Sequence, residues 1–414
     1  MEKLAIHGGP KAKPTPYTRP NRYDAEELAQ IQETLAAGRL MGPGGKVAEF
    51  EGALRKEFNV KHAIMVTSGT AALHTALAAL GVAEGDEVIT TPMTDIGTVS
   101  AILALHAIPI FADIDLRTRL ISPESVQERI SERTKVIITV HMSGLPCDMD
   151  AFLTIRDRYG PKILEDCAQG HGGQYKGKWL GTLGDAAGFS MNESKQMSTG
   201  DGGFVFTDDD ETGGIAALFR DKTYLRGKKI ERGKQPILFF APNYRPTQLQ
   251  AAVAIAQLAK LPHVVRRRDE IVQCYYDALS DLPYLELPQI VEGGEPSWWP
   301  LACRYTGQDG PSQDGPSRDD LAAALRAEGM PISTGMSPAN NILRTELVSR
   351  KKYYPLTDQV PAFWRDTTYD PEACPNVDIL QRTVLRLPVD QRYTDQDIEE
   401  TIKAVQKVWT HYFG

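Results

Sequence analysis

The chain has 414 residues, 42% of them hydrophobic and 24% charged, with a formal net charge of −8. That apolar share supports a substantial core, and the length fits a large α/β unit with a smaller appended domain. An acidic balance without basic runs interleaved with aromatics argues against a nucleic-acid scaffold. The densest basic cluster, Arg266-Arg267-Arg268, is followed at once by Asp269 and Glu270 and reads as a solvated helix face.

The opening MEKLAIHGGPKAKP holds no apolar core of signal-peptide length. No uninterrupted apolar run approaches the ~18 residues of a membrane span. The five cysteines form no C-x-x-C pair, as expected of reduced thiols in a cytoplasmic protein. His141 and Cys147 share a segment, but a zinc site needs more clustered ligands, so no metal is expected.

From about Glu49 to Thr207, short apolar runs alternate with helical patterns. HAIMV (62–66) is the first predicted strand. It leads through TSGT (67–70) into a helix with Leu73, Ala76, Leu77 and Leu80 on one face. DEVIT, IPIFADID, KVIITVH, KILEDC, AAGFSM and GGFVFT follow as predicted strands, several of them apolar throughout, as strands covered on both faces are. SPESVQERI and DMDAFLTIRDRYG are predicted helices between them. The pattern is that of a mainly parallel sheet with helices around it. After Gln248 a long helical stretch, LQAAVAIAQLAKL, is followed by VVRRRDEIVQCYYDAL, and the domain change is expected near there. The expected division is an arm over residues 1–25, a large α/β domain over 26–258 and a small α+β domain over 259–414. The small domain has strands in SWWPLACRY and TVLRLP, and a last helix entered at Thr394 with Asp397 three residues on. The direct repeat QDGPS-QDGPS (308–317) is rich in turn formers and reads as a lengthened surface loop.

Ligands of open α/β sheets gather at the carboxyl ends of the strands. Three predicted strand ends carry chemistry. TSGT opens a helix whose free N–H groups suit a phosphate, although capping alone explains many such openings. In KILEDCAQGHG, Asp166 ends a strand where a buried carboxylate needs a cation or metal to stay charged; a turn cap is the plainer alternative. In GFSMNESKQMSTGDGG (188–203), Ser190 offers a hydroxyl, and Lys195 stands before a glycine cluster that lets backbone pass close. Neither a P-loop nor a clean G-x-G-x-x-G is present. A phosphate cradle, a carboxylate and a lysine together match what pyridoxal phosphate requires.

The segments SGTAALHTAL, LEDCAQGHGGQYKGKWLGTLGD, GFSMNESKQMSTGDGG and NYRPTQLQAA resemble the DegT/DnrJ/EryC1/StrS aminotransferases, and the likeness covers nearly the whole chain. The resemblance implies a fold-type-I scaffold that binds pyridoxal 5′-phosphate. By the same resemblance, Lys195 is the Schiff-base lysine, Asp166 the acid on the pyridine nitrogen and Gln169 the amide beside the ring. Gly69, Thr70 and Ser190 match phosphate-site positions. Asn243 matches an asparagine inserted from the neighbouring subunit, which implies a homodimer with shared active sites. Asp95 falls where the family commonly stacks an aromatic ring, and a carboxylate offers no such surface. Asp201 stands where Glu is frequent. The activity implied is transfer of an amino group from glutamate or glutamine to a keto-sugar, nucleotide-linked or not, or to a keto-cyclitol. A dehydratase or lyase on the same scaffold, and a non-catalytic ligand-binding module, are the alternatives. The presence of Lys195 argues against the family branch that replaces the lysine with histidine and dehydrates.

Overall fold

The computed structural model describes the chain except Met1, Pro43, Gly227, Lys228, Arg232, 308–314 and Asn340. Most of the predicted QDGPS repeat therefore lies outside the described residues. Its last residue, Ser317, caps the helix Arg318–Ala327.

Seven strands form the main sheet: β1 (His62–Val66), β2 (Glu87–Thr90), β3 (Ile108–Phe111), β4 (Thr134–Val140), β5 (Lys162–Asp166), β6 (Ala186–Ser190) and β7 (Gly203–Thr207). Their order is β1-β7-β6-β5-β4-β2-β3. All seven predicted strands are present. Val136, Ile137, Ile138, Leu164, Phe189 and Phe204 are fully buried, which is why these runs show no polar alternation.

Neighbouring strands from β6 through β3 pair in parallel, whereas β7 runs antiparallel to both β6 and β1. Hence the first residue of β7 lies where the others end: Gly203 is opposite Val66 on one side and Ser190 on the other. The reversed strand brings the glycine cluster to the carboxyl edge of the sheet. A side chain on Gly203 would place its Cβ 2.4 Å from the Ser68 carbonyl oxygen, so only glycine fits there.

The stretch after Thr247 is one helix, Gln248–Leu279, with Pro262 inside it. An interior proline costs ~3 kcal/mol. Leu258, Leu261, Val264, Ile271, Val272 and Leu279 are all buried along that helix. At ~1.5–3 kcal/mol for each buried aliphatic side chain, the packed face outweighs the proline. The expected boundary at residue 258 falls inside this helix. Beyond it, β8 (Leu285–Glu286), β9 (Leu301–Tyr305) and β10 (Val384–Leu387) form an antiparallel sheet. The last helix, Asp395–Phe413, opens with the Thr394–Asp397 capping box read from the sequence.

The first residues of the chain pack against these later elements. The buried Lys13 ammonium lies 2.7 Å from Asp397 Oδ1. The Ala5 and Ala12 amides donate to the Glu328 carboxylate at 2.8 and 2.7 Å. No helix among the described residues is long and apolar enough to cross a membrane.

Candidate active site

A cavity of about 610 Å³ opens at the carboxyl edge of the main sheet. Its walls hold Gly69, Thr70, Asp95, Asp166, Gln169, Ser190 and Lys195. Of the site residues that the resemblance names, Asn243 alone is not in its walls.

One end of the cavity is an anion cradle. Ser68 caps α3 (Gly69–Ala79) by accepting from the Ala71 amide at 3.1 Å. Ser190, at the end of β6, closes against the first turn of α3: a Cβ on Gly69 would sit 2.6 Å from the Ser190 Cβ. A Cβ on Gly97 would likewise meet the Thr70 hydroxyl oxygen at 2.5 Å. Two helix N-termini and the Ser190 hydroxyl thus converge, with their dipoles favouring negative charge.

Asp95 is the N-cap of the second of these helices, α4 (Ile96–Leu103), and its Oδ1 accepts from the Gly97 amide at 2.8 Å. This accounts locally for a carboxylate at a position where the resemblance implies an aromatic ring. A cap of this kind contributes ~1 kcal/mol to the helix.

Asp166 forms the floor and is 4% exposed. Its Oδ2 accepts from the Thr98 hydroxyl at 2.8 Å and its Oδ1 from the Ala168 amide at 3.1 Å. The turn-cap alternative is therefore half true: one oxygen braces the turn and the other takes a side-chain donor. Thr98 lies 2.9 Å from Thr94, hydroxyl to hydroxyl. With its own hydrogen committed to Asp166, Thr98 accepts from Thr94. Burial pushes the Asp166 carboxyl above its ordinary range, opposed by those two hydrogen bonds and by the Lys195 charge. Beside it, the Gln169 side-chain carbonyl accepts from the Ser143 amide at 2.7 Å.

Behind Asp166, the side chains of His141, Glu165 and Cys167 lie close enough together to suit a metal ion. Their hydrogen bonds assign them otherwise. His141 Nδ1 accepts from the Cys147 amide and Nε2 faces Glu165 at 3.1 Å. Glu165 also accepts the amides of Gly181, Leu183 and Gly184 at 2.8–2.9 Å. His141 and Glu165 are thus hydrogen-bonded as a polar brace beside β5.

Lys195 projects from the loop after β6. Its ammonium lies 4.4 Å from the centroid of the Trp299 ring. Burial lowers its pKa, with Arg386 adding to the effect while Asp166 and Asp95 oppose it. The loop is held from both sides. The Arg22 guanidinium donates to the carbonyls of Glu193, Lys195 and Gln196 at 2.6, 2.9 and 3.1 Å. The Trp299 indole donates to the Ser194 carbonyl at 2.8 Å. Four consecutive carbonyls are thereby pinned.

Thr98, Trp299, Arg386 and Arg22 escaped the sequence reading. Trp299 and Arg386 sit in segments read only as strands, SWWPLACRY and TVLRLP, and reach the cavity through tertiary packing.

Asn243 is exposed and bridges to Asp221. It does not cap the following helix; Thr247 does, in a capping box with Gln250. Just before it, Ile237, Leu238, Phe239 and Phe240 expose 67%, 54%, 39% and 91% of their surface.

A lysine, a buried carboxylate and an anion cradle at the carboxyl edge of a mainly parallel sheet define a fold-type-I pyridoxal phosphate enzyme. Residues 21–406 match the model of the DegT/DnrJ/EryC1/StrS aminotransferase family. The chain is 32% identical over 398 residues to the spore coat polysaccharide biosynthesis protein SpsC of Bacillus subtilis (strain 168), covering 95% of this chain and 96% of that one. It superposes on an aminotransferase from Psychrobacter cryohalolentis with TM-score 0.85 at 27% identity, covering 96% and 100% of the two chains. It also superposes on the GDP-4-keto-6-deoxy-D-mannose-3-dehydratase of E. coli, solved with bound hydrated PLP, with TM-score 0.80 at 25% identity, covering 94% and 99%. The chain belongs to the DegT/DnrJ/EryC1/StrS aminotransferase family, and its cavity fits the cofactor pyridoxal 5′-phosphate.

Proposed function

We propose that this protein is an aminotransferase that moves an amino group from glutamate or glutamine to a keto-sugar, nucleotide-linked or not, or to a keto-cyclitol. The observation that carries the reading is the presence of Lys195, Asp166 and the Ser190–α3 cradle in one cavity. Pyridoxal phosphate, when bound, supplies an aldehyde that captures amines and a ring that accepts an electron pair.

The residues divide the work. Gly69, Thr70 and Ser190 would hold the phosphate. Asp166, placed by Thr98 and Ala168, would keep a proton on the ring nitrogen, and Gln169 would help to hold the ring. Lys195, its pKa lowered by burial, would take a proton from the α-carbon of the donor. The pinned loop keeps that amine in reach of one carbon, which is the source of its rate advantage. Asp95 caps α4 in the cavity wall.

Lysine at position 195 favours amino transfer over the dehydratase reading, and the complete constellation leaves a non-catalytic module without support. Asn243 and the exposed apolar run before it serve a second copy of the chain, so the working form is a homodimer with shared sites. The test is a two-stage one. Loaded enzyme is first given glutamate or glutamine while cofactor absorbance is followed. The aminated form is then offered keto-cyclitols and nucleotide-linked keto-sugars. Loss of water without amine transfer would instead support the dehydratase reading.

A further inference from the structure

Beside the catalytic cavity lies a second cleft of about 320 Å³. The two adjoin, with Ser194, Trp299, Ser333 and Arg386 in the walls of both. Five arginines line the second cleft: Arg19, Arg22, Arg268, Arg386 and Arg392. Glu193 and Asp390 are its only acidic lining residues.

Among the described residues, those acids pair directly with only one of the five arginines. Asp390 is engaged by Arg392 through two contacts of 2.8 and 2.6 Å. The Glu193 carboxylate accepts from the Tyr23 hydroxyl at 2.9 Å. The other four arginines are held by neutral oxygens. Arg19 approaches the Tyr393 hydroxyl at 3.4 Å. Arg22 holds the three carbonyls of the lysine loop. Arg268 donates to the Gln391 side chain and the Trp298 carbonyl, both at 2.9 Å. Arg386 donates to the Gly335 carbonyl at 3.0 Å. Among the described residues, none of these four forms an ion pair.

A guanidinium does not shed its charge at working pH, and an unpaired one taken out of water is costly. Here Arg22, Arg268 and Arg386 lie partly or wholly out of water beside the exposed Arg19, and the buried Nε atoms of Arg22 and Arg386 have no hydrogen-bond partner. Arg268 is 4% exposed. Burial holds its pKa down to about 10; Asp390 opposes this, while repulsion from Arg22 and Arg392 adds to it. The cleft therefore gains from an incoming anion in two ways: the repulsion is relieved and unused donors are filled.

We propose that this cleft is an anion-binding annex of the catalytic cavity, taking a carboxylate or phosphoryl group of a substrate whose reacting carbon lies at Lys195. Arg386, facing both spaces, joins the two subsites. The link to a reacting carbon rests on the aminotransferase reading; the anion site itself does not.

The test uses enzyme loaded with pyridoxal phosphate, so that the cofactor's own phosphate fills the Ser190 cradle. Pyrophosphate is titrated by calorimetry at low and at moderate salt. The expected result is one saturable site per chain that weakens with salt and at least tenfold in Arg386→Gln. Should that variant fail to fold, Arg19→Gln, which changes an exposed side chain, must show the loss instead. No saturable binding, or wild-type affinity in the folded variant, overturns the proposal. Competition between pyrophosphate and glutamate in the first half-reaction assigns the annex to the donor's carboxylate. Binding without competition assigns it to the acceptor. If pyrophosphate binds as expected but no amino group is transferred, the annex stands and the aminotransferase reading fails.

Discussion

Thr98, in the first turn of α4, donates its hydroxyl hydrogen to Asp166, the last residue of β5, across 2.8 Å. The bond joins a helix after one strand to the end of another, and it is the only side-chain donor found on that buried carboxylate among the described residues. Its loss leaves the charge underserved. A hydrogen bond to a charged group is worth ~1.5–3 kcal/mol, and each tenfold in rate is about 1.4 kcal/mol. Thr98→Val is thus expected to lower kcat roughly tenfold to a hundredfold. It also raises the Asp166 pKa further, so the acid limb of the rate profile moves to higher pH. Steady-state rates across pH check both effects.

Asp166→Asn separates stability from function. The carboxyl pKa is raised in the folded chain, chiefly by burial. The folded state therefore binds this proton more tightly than the unfolded state. The associated stability is fully present below the ordinary aspartate value of ~3.9 and is lost as pH rises through the raised value. The amide carries no such loss. Without cofactor, Asp166→Asn should melt above the wild type at pH 8, with the gap closing towards pH 4, by calorimetry. With cofactor, its turnover should fall by several factors of ten, because an amide does not keep the ring nitrogen protonated. Near-normal turnover would mean that another acid does this work.

Much of this site is legible in the sequence because its parts lie in short, contiguous signals. Ser68–Thr70 open a helix right after a strand, Asp166 ends an apolar strand, and Lys195 stands between Ser190 and a glycine cluster. The remaining wall is not legible in this way. Arg386 comes from β10 of a different sheet and Trp299 from the bend before β9, and nothing local to SWWPLACRY or TVLRLP marks one ring and one guanidinium as facing Lys195. Arg22 is similarly hidden, in an irregular segment whose role depends on a loop 171 residues away. Pro262 sits inside a helix that buried leucines and valines keep intact.

Arg22→Lys keeps the charge but loses the planar fork that spans three carbonyls. Amide exchange over residues 193–197 should accelerate in the cofactor-free protein, while exchange in β5 and β6 stays as in the wild type. kcat should drop about tenfold or more, with a smaller change in KM for the donor. Unchanged loop exchange would show that Trp299 alone holds the segment.

The assembly reading places Asn243 in the partner's site. A Lys195→Ala chain and an Asn243→Ala chain, each inactive as a homodimer, are dissociated and mixed. In a mixed dimer, one site collects both lesions and the other is intact, so activity returns. Verified heterodimers without activity would contradict the shared-site arrangement. Phe240→Asp, which puts a charge on a ring 91% exposed in the single chain, should weaken the dimer by sedimentation.

The most direct measurement follows one nitrogen atom. Enzyme loaded with pyridoxal phosphate is mixed with ¹⁵N-glutamate or α-amino-¹⁵N-glutamine, without acceptor, and quenched after one turnover. The reading given to Lys195 predicts one ¹⁵N per site on the enzyme-bound cofactor and one equivalent of the matching 2-oxo acid. It also predicts neither in Lys195→Ala, although that variant still retains cofactor through Ser190 and α3. Equal transfer by Lys195→Ala, or cofactor left unaminated in the wild type by both donors, would contradict it.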